Sequence, residues 1–213
     1  MEITDFLLKQ RVKLLIIACN TIASVAYEPI AERSPVPVLD VIEAGARCAV
    51  ATTRTKQVAV IGTPATVNSN AYARTIHRHD PEIRVFSQSC PLFVPLVEEG
   101  WLDHTVTRLT AQEYLKPILA EHVDTLVLGC THYPLLKSLL QDIVGAAMKL
   151  VDSAEAMADI TAGLLQQQGL ANPLRIPPEY RYCVSDVPFR FQTIAERFLG
   201  RSLGRIDVVK LSS

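Results

Sequence analysis

The sequence predicts an α/β fold of two similar, doubly wound lobes with mainly parallel sheets. Short apolar runs without alternation, such as residues 14–18 and 126–128, are typical of parallel strands buried on both faces. These runs alternate with segments of helical periodicity, and that alternation implies right-handed crossovers. An internal repeat further indicates two related halves. We therefore expect a ligand cleft between two lobes.

The expected elements alternate along the chain. β-branched apolar runs predict strands at residues 14–18, 58–61, 84–87, 126–128, 149–151 and 181–184. Longer segments between them predict helices at 22–32, 41–52, 64–79, 106–121, 134–144 and 154–168. Two of these helices begin with a proline, which suits a first helical turn.

Composition and charge argue against several classes of partner. The 213 residues carry 21 basic and 22 acidic side chains, a net charge of -1, so nothing indicates nucleic acid or a membrane surface. The apolar stretch at residues 14–19 is far too short to cross a bilayer. Five scattered cysteines without a CxxC pair indicate reduced thiols and a cytoplasmic protein.

The repeat places two cysteines in equivalent positions. Residues 12–21 align without gaps with residues 123–132, and each segment is an apolar run that ends in a cysteine, Cys19 or Cys130. Polar residues follow each cysteine. Because open α/β sheets bind ligands beyond the carboxyl ends of their strands, both thiols lie where chemistry is expected.

Two facing thiols suit the inversion of a carbon centre. One thiolate would remove a proton from one face, and the other thiol would return a proton to the opposite face. A lone cysteine is more often a small buried apolar residue, and we interpret Cys48, Cys90 and Cys183 in that way. Cys19, Cys130 and His132 lack zinc-like spacing, so no metal site is expected.

Four blocks in order resemble the glutamate racemase family. Residues 18–21 (Ala-Cys-Asn-Thr) and 128–136 (Leu-Gly-Cys-Thr-His-Tyr-Pro-Leu-Leu) resemble its two signature blocks, and residues 60–67 and 90–100 resemble the segments between them. His132 distinguishes this pattern from that of the related aspartate racemases. The resemblance covers essentially the whole chain.

The resemblance implies roles for the two cysteines and one histidine. Cys19 would be the base that acts on D-glutamate, and Cys130 the base that acts on L-glutamate, with His132 assisting on the Cys130 side. His132 could instead cap the following helix or make an ordinary core contact. Glu98 resembles a carboxylate near the family's cleft, although a solvated helix face explains it equally well.

Short polar side chains beside the cysteines would bind the substrate's carboxylates and ammonium group. Thr63 and Thr66 could alternatively cap the helix that follows their strand. By the resemblance, the substrate-binding set is Asn20, Thr21, Thr63, Thr66, Thr131 and His132.

The resemblance also implies a partner and a biological role. The substrate would be L- or D-glutamate, and the product D-glutamate would supply bacterial peptidoglycan biosynthesis. No cofactor is expected, because no lysine for pyridoxal phosphate lies in these blocks and the two-base scheme needs none. A homodimer is compatible with the sequence.

The front of the chain departs from the family pattern. The family begins with a strand that ends in Asp-Ser-Gly, and no such block precedes Cys19. We therefore expect an incomplete first lobe, residues 1–42 with 153–213, beside a second lobe at 43–152, and a chain with little activity. Two alternatives remain: a non-catalytic binding or regulatory module, and a cysteine hydrolase that uses Cys130 and His132.

Overall fold

The computed structural model describes residues 1–174 and 176–211. The strands are β1 (Leu15–Ile17), β2 (Val38–Asp40), β3 (Gln57–Gly62), β4 (Arg84–Ser89), β5 (Thr125–Gly129), β6 (Lys149–Val151), β7 (Tyr182–Val184) and β8 (Ile206–Val208). The helices are α1 (Glu2–Lys9), α2 (Asn20–Arg33), α3 (Val41–Thr52), α4 (Pro64–Asn68), α5 (Ala71–His79), α6 (Phe93–Glu98), α7 (Thr105–Leu119), α8 (Lys137–Val144), α9 (Ser153–Gln167) and α10 (Pro188–Leu199). A 3-10 turn, Tyr133–Leu136, precedes α8.

A four-stranded parallel sheet forms the centre of the unit Lys13–Gly169, with the order β4-β3-β5-β6. Its two middle strands, β3 and β5, are buried almost throughout. Alternate residues enter two different apolar clusters: Val58 and Val60 pack in one, Ala59 and Ile61 in the other. Both faces of the sheet are therefore covered, which confirms the α/β class and explains the uninterrupted apolar runs.

A second parallel pair, β1 with β2, repeats part of this design. β2 ends at Asp40, whose carboxylate accepts hydrogen bonds from Ile42 and Glu43 and so starts α3. β5 pairs with β6 in the same parallel sense, and Asp152 then caps α9 through Ala154. The structure thus extends the sequence repeat to a strand, a second strand, an aspartate cap and a helix.

Several expected elements differ from the structure. The single helix expected at 64–79 is two helices, because Asn70 adopts a left-handed backbone conformation (φ 54) between α4 and α5. β2 and β8 were not expected, and each has only three residues, too few to show a periodicity. Helices α1, α6 and α10 were likewise not expected from the sequence.

Residues Met1–Val12 and Leu170–Ser213 form a second compact unit. In it β7 pairs in parallel with β8, and Arg181 bonds both Asp207 and Gln10. These units group residues differently from the expected lobes, 1–42 with 153–213 and 43–152, because α9 packs along α3. The lobe boundaries stay a prediction. Within the described ranges, no helix is both long and apolar enough to span a bilayer.

Candidate active site

Cys19 occupies the N-cap position of α2, immediately after β1, and its side chain is exposed. It makes no side-chain capping hydrogen bond, and the first turn of α2 contains no acidic residue. The first N–H groups of a helix favour an anion, and no nearby carboxylate of that turn competes for them. The start of α2 therefore suits a thiolate or a substrate carboxylate.

Cys130 occupies the equivalent place after β5, but it is buried. Burial raises the pKa of its thiol to about 11, while hydrogen bonds from the backbone N–H groups of His132 and Tyr133 act in the opposite direction. A negative charge on Cys19 also raises this pKa. The two thiols thus interact electrostatically across the ends of two different sheets.

His132 lies between Cys130 and a carboxylate. Its Nδ1 is 3.9 Å from the Cys130 sulfur, and its Nε2 is 3.3 Å from Oε1 of Glu98. Thr131 is exposed, and its hydroxyl is 3.4 Å from the same Nδ1. The short helix α6 ends at Glu98 and brings its carboxylate, which is 23% exposed, to the histidine.

Three threonine hydroxyls meet where β1 and β3 end. Thr21 Oγ1 is 2.9 Å from Thr63 Oγ1 and 3.3 Å from Thr66 Oγ1, and the latter two are 3.0 Å apart. Thr63 also caps α4 by accepting from the Thr66 backbone N–H. The capping role and the clustering therefore coexist, and the cluster joins Thr21 at the start of α2 to the start of α4.

Asn20 is buried beside Cys19, and its partner is a residue that the sequence analysis missed. The Tyr72 hydroxyl donates to Asn20 Oδ1 at 2.7 Å, across 52 residues of sequence. Among the described residues, Asn20 Nδ2 is buried without a hydrogen-bond partner. A tyrosine in an amphipathic helix gives no local signal of such a contact, because its partner lies far away in the chain.

The other three cysteines occupy three different environments. Cys90 is buried, and burial raises the pKa of its thiol to about 12. Cys48 lies within α3, where its sulfur is 4.0 Å from Thr52 Oγ1, and Cys183 belongs to β7 in the other unit. In the described part of the chain, no group of three or more His, Cys, Asp or Glu side chains could hold a metal ion.

A cavity of about 970 Å³ opens between α2, α3 and α5. Ser24, Tyr27, Asp40 and Arg74 are among the residues that line it, whereas neither Cys19 nor Cys130 does. The Asp40 carboxyl has a raised pKa, chiefly because it is buried. The position of the candidate active site therefore rests on the thiols and their neighbours, not on the size of this cavity.

Parallel α/β sheets with a thiol after two equivalent strands suit an enzyme that transfers protons at a carbon centre. A sequence model described as Asp/Glu/Hydantoin racemase matches residues 2–161, and the chain belongs to this family. The chain is 72% identical to glutamate racemase of Syntrophus aciditrophicus over 210 residues, which cover 99% of this chain and 78% of that protein. It is 57% identical to glutamate racemase of Neisseria meningitidis over 212 residues, with the same coverage.

Solved structures agree with this assignment. Glutamate racemase of Francisella tularensis in complex with D-glutamate superposes with a TM-score of 0.92 at 39% identity, covering 99% of this chain and 78% of that one. The Thermus thermophilus enzyme in complex with β-chloro-D-alanine gives 0.86 at 40% identity, covering 99% and 77%. Aspartate racemase of Picrophilus torridus, at 23% identity and a TM-score of 0.53, shares the fold.

Proposed function

We propose that this chain interconverts L- and D-glutamate by proton transfer between two cysteines, without a cofactor. The observation that carries the proposal is the placement of Cys19 and Cys130 after equivalent strands, where the charge of one acts on the pKa of the other. Relatives that are 72% and 57% identical are glutamate racemases, and the Francisella tularensis structure contains D-glutamate.

The burial of Cys130 fits its role as the proton donor when D-glutamate is the substrate. With its pKa raised to about 11, Cys130 is a protonated thiol near neutral pH. When D-glutamate is the substrate, Cys19 as thiolate takes the C2 proton, and Cys130 gives its own proton to the opposite face of the resulting carbanion. The product is L-glutamate, and the two cysteines have exchanged protonation states.

The reverse direction needs Cys130 as a thiolate. The backbone N–H groups of His132 and Tyr133 stabilise that anion, and the His132 ring is positioned to accept the thiol proton through Nδ1. Glu98 orients the ring through Nε2. His132 therefore assists Cys130, and Glu98 supports the histidine.

The polar residues around the thiols supply contacts for glutamate. Hydroxyls can donate to carboxylate oxygens or accept from an ammonium group, so the Thr21, Thr63 and Thr66 cluster can bind either end of the amino acid. Asn20 and Thr131 stand directly after Cys19 and Cys130 and complete the proposed binding set. The proposal also places the reaction in the bacterial cytoplasm, where D-glutamate enters peptidoglycan, and includes assembly as a homodimer.

The test is racemisation in D₂O, starting separately from each enantiomer. Polarimetry follows the inversion, and mass spectrometry follows deuterium at C2. Early in the reaction, deuterium should enter the product enantiomer and not the remaining substrate, because each base serves one face. Cys19→Ala and Cys130→Ala should each abolish inversion in both directions, whereas the control Cys48→Ala should retain it.

Three outcomes would contradict the proposal. Wild-type turnover in either single-alanine variant would exclude the two-base scheme. Hydrolysis of amide substrates that depends on Cys130 alone would favour the cysteine hydrolase. Glutamate binding without exchange in the wild-type protein would favour a non-catalytic binding module.

A further inference from the structure

We infer that Tyr72 is a positioning residue that holds the segments of both catalytic cysteines in their working arrangement. The inference rests on the proposed racemisation and adds a residue to it. Tyr72 lies in α5, away from the four sequence blocks, and is only 2% exposed. Its ring and hydroxyl nevertheless reach the neighbours of Cys19 and of Cys130.

On the Cys19 side, the contact is a hydrogen bond. The Tyr72 hydroxyl donates to Asn20 Oδ1 at 2.7 Å, and Asn20 directly follows Cys19 as the first residue of α2. The Asn20 amide nitrogen is buried without a partner in the described residues. A buried donor without a partner is rare and unfavourable, so the tyrosine bond is the side-chain contact that fixes this carboxamide.

On the Cys130 side, the contact is steric. A Cβ atom added to Gly129, the residue before Cys130, would lie 3.2 Å from Tyr72 Cε2. A Cβ added to Gly45 in α3 would lie 3.0 Å from the Tyr72 hydroxyl. Two glycines thus leave the space that the tyrosine fills.

The chemistry of the hydroxyl indicates positioning rather than proton transfer. Burial raises the pKa of Tyr72 far above its ordinary value, and a negative charge on Cys130 acts in the same direction. The phenol therefore stays protonated while the thiols cycle, and it serves as a constant donor to Asn20. Its displacement would move the start of α2 relative to Cys130.

The experiment compares Tyr72→Phe with Tyr114→Phe. The first removes the bond to Asn20 and keeps the ring, and the second removes a hydroxyl that accepts from the Leu92 backbone N–H. Tyr72→Phe should lower kcat/KM about 10–100-fold, because small misplacements of reacting groups cost this much. The loss in kcat/KM must be equal for L- and D-glutamate, because the equilibrium constant between mirror images is one.

Further readouts separate positioning from general damage. Tyr72→Phe should raise KM and enlarge the isotope effect with C2-deuterated D-glutamate, because Asn20 and Cys19 are displaced together. Tyr114→Phe should stay within about twofold of wild type in all three quantities. Gly45→Ala crowds the Tyr72 hydroxyl but favours helix α3, and it should change the same three quantities in the same way as Tyr72→Phe. If Tyr72→Phe does not fold, the Gly45→Ala variant tests the inference in its place.

Unchanged kinetics in Tyr72→Phe, with an active wild-type protein, would overturn the inference about Tyr72 but not the proposed function. So would a fall in kcat that matches the loss of folded protein, with KM and the isotope effect unchanged, because that is the mark of a merely structural tyrosine. An inactive wild-type protein would overturn the proposed function and the inference with it.

Discussion

Two glycines, one in a tightly packed strand and one on an open helix face, give a sharp test of the packing beside Cys130. A Cβ on Gly129 would lie 2.7 Å from the Ile61 carbonyl oxygen in β3, whereas ordinary van der Waals contact begins at 3.4 Å. Strands β3 and β5 would have to separate locally by about 3.4 − 2.7 = 0.7 Å to restore ordinary contact. Overpacking of this kind typically costs about 1–3 kcal/mol.

Gly163 lies within α9 with nothing within 4 Å of its added Cβ. Alanine there should gain about 0.5–1 kcal/mol, because glycine is unfavourable inside a helix. The two substitutions therefore have opposite expected signs. Urea denaturation followed by circular dichroism measures both free energies of unfolding, and racemisation rates are taken on the same samples.

Gly129→Ala should also lose activity, because it displaces Cys130 and Tyr72, whereas Gly163→Ala should keep it. A Gly129→Ala protein as stable and active as wild type would refute the argument from close packing. A destabilised Gly163→Ala protein would show that the helix-propensity argument fails at α9.

Three further predictions concern single side chains. Burial opposes ionisation of Asp124, but hydrogen bonds from Thr53 and two backbone N–H groups outweigh it and lower its pKa to about 2. The free energy of unfolding should therefore fall as the pH drops from about 4 to 2. Acid titrations should show a smaller fall in the Asp124→Asn variant. His132→Asn should lower kcat/KM about 10²-fold or more with little change in thermal midpoint, as steady-state assays and calorimetry can check. Leu140→Ala removes a fully buried side chain and should cost about 2–5 kcal/mol in denaturant titrations; a neutral result would mean that the core collapses around the cavity.

The central strands and both cysteines could be predicted from the sequence. β3 and β5 are buried on both faces, so their apolar runs lack alternation. The repeat needs no tertiary information to place Cys19 and Cys130 after equivalent strands. The family assignment followed from the same segments and was confirmed. The roles of the individual site residues stay predictions that the proposed variants test.

Other features depend on contacts that no local pattern contains. β2 has three residues and runs directly into α3, so it shows no period of its own. The break between α4 and α5 depends on one left-handed residue, Asn70. The role of Tyr72 depends on Asn20, which lies 52 residues away. Pairings of this range become visible only when the sheets are assembled.

The unequal exposure of Cys19 and Cys130 has a consequence for chemical vulnerability under the proposed two-base scheme. An alkylating or oxidising reagent dissolved in water meets Cys19, which is exposed at the start of α2, long before it reaches Cys130 in the interior. In the proposed scheme, which uses both thiols in each direction, one modified sulfur would stop racemisation both ways. Modification of one thiol per chain, at Cys19, should therefore be enough for covalent inactivation. A glutamate molecule bound between the thiols would protect Cys19 from the reagent.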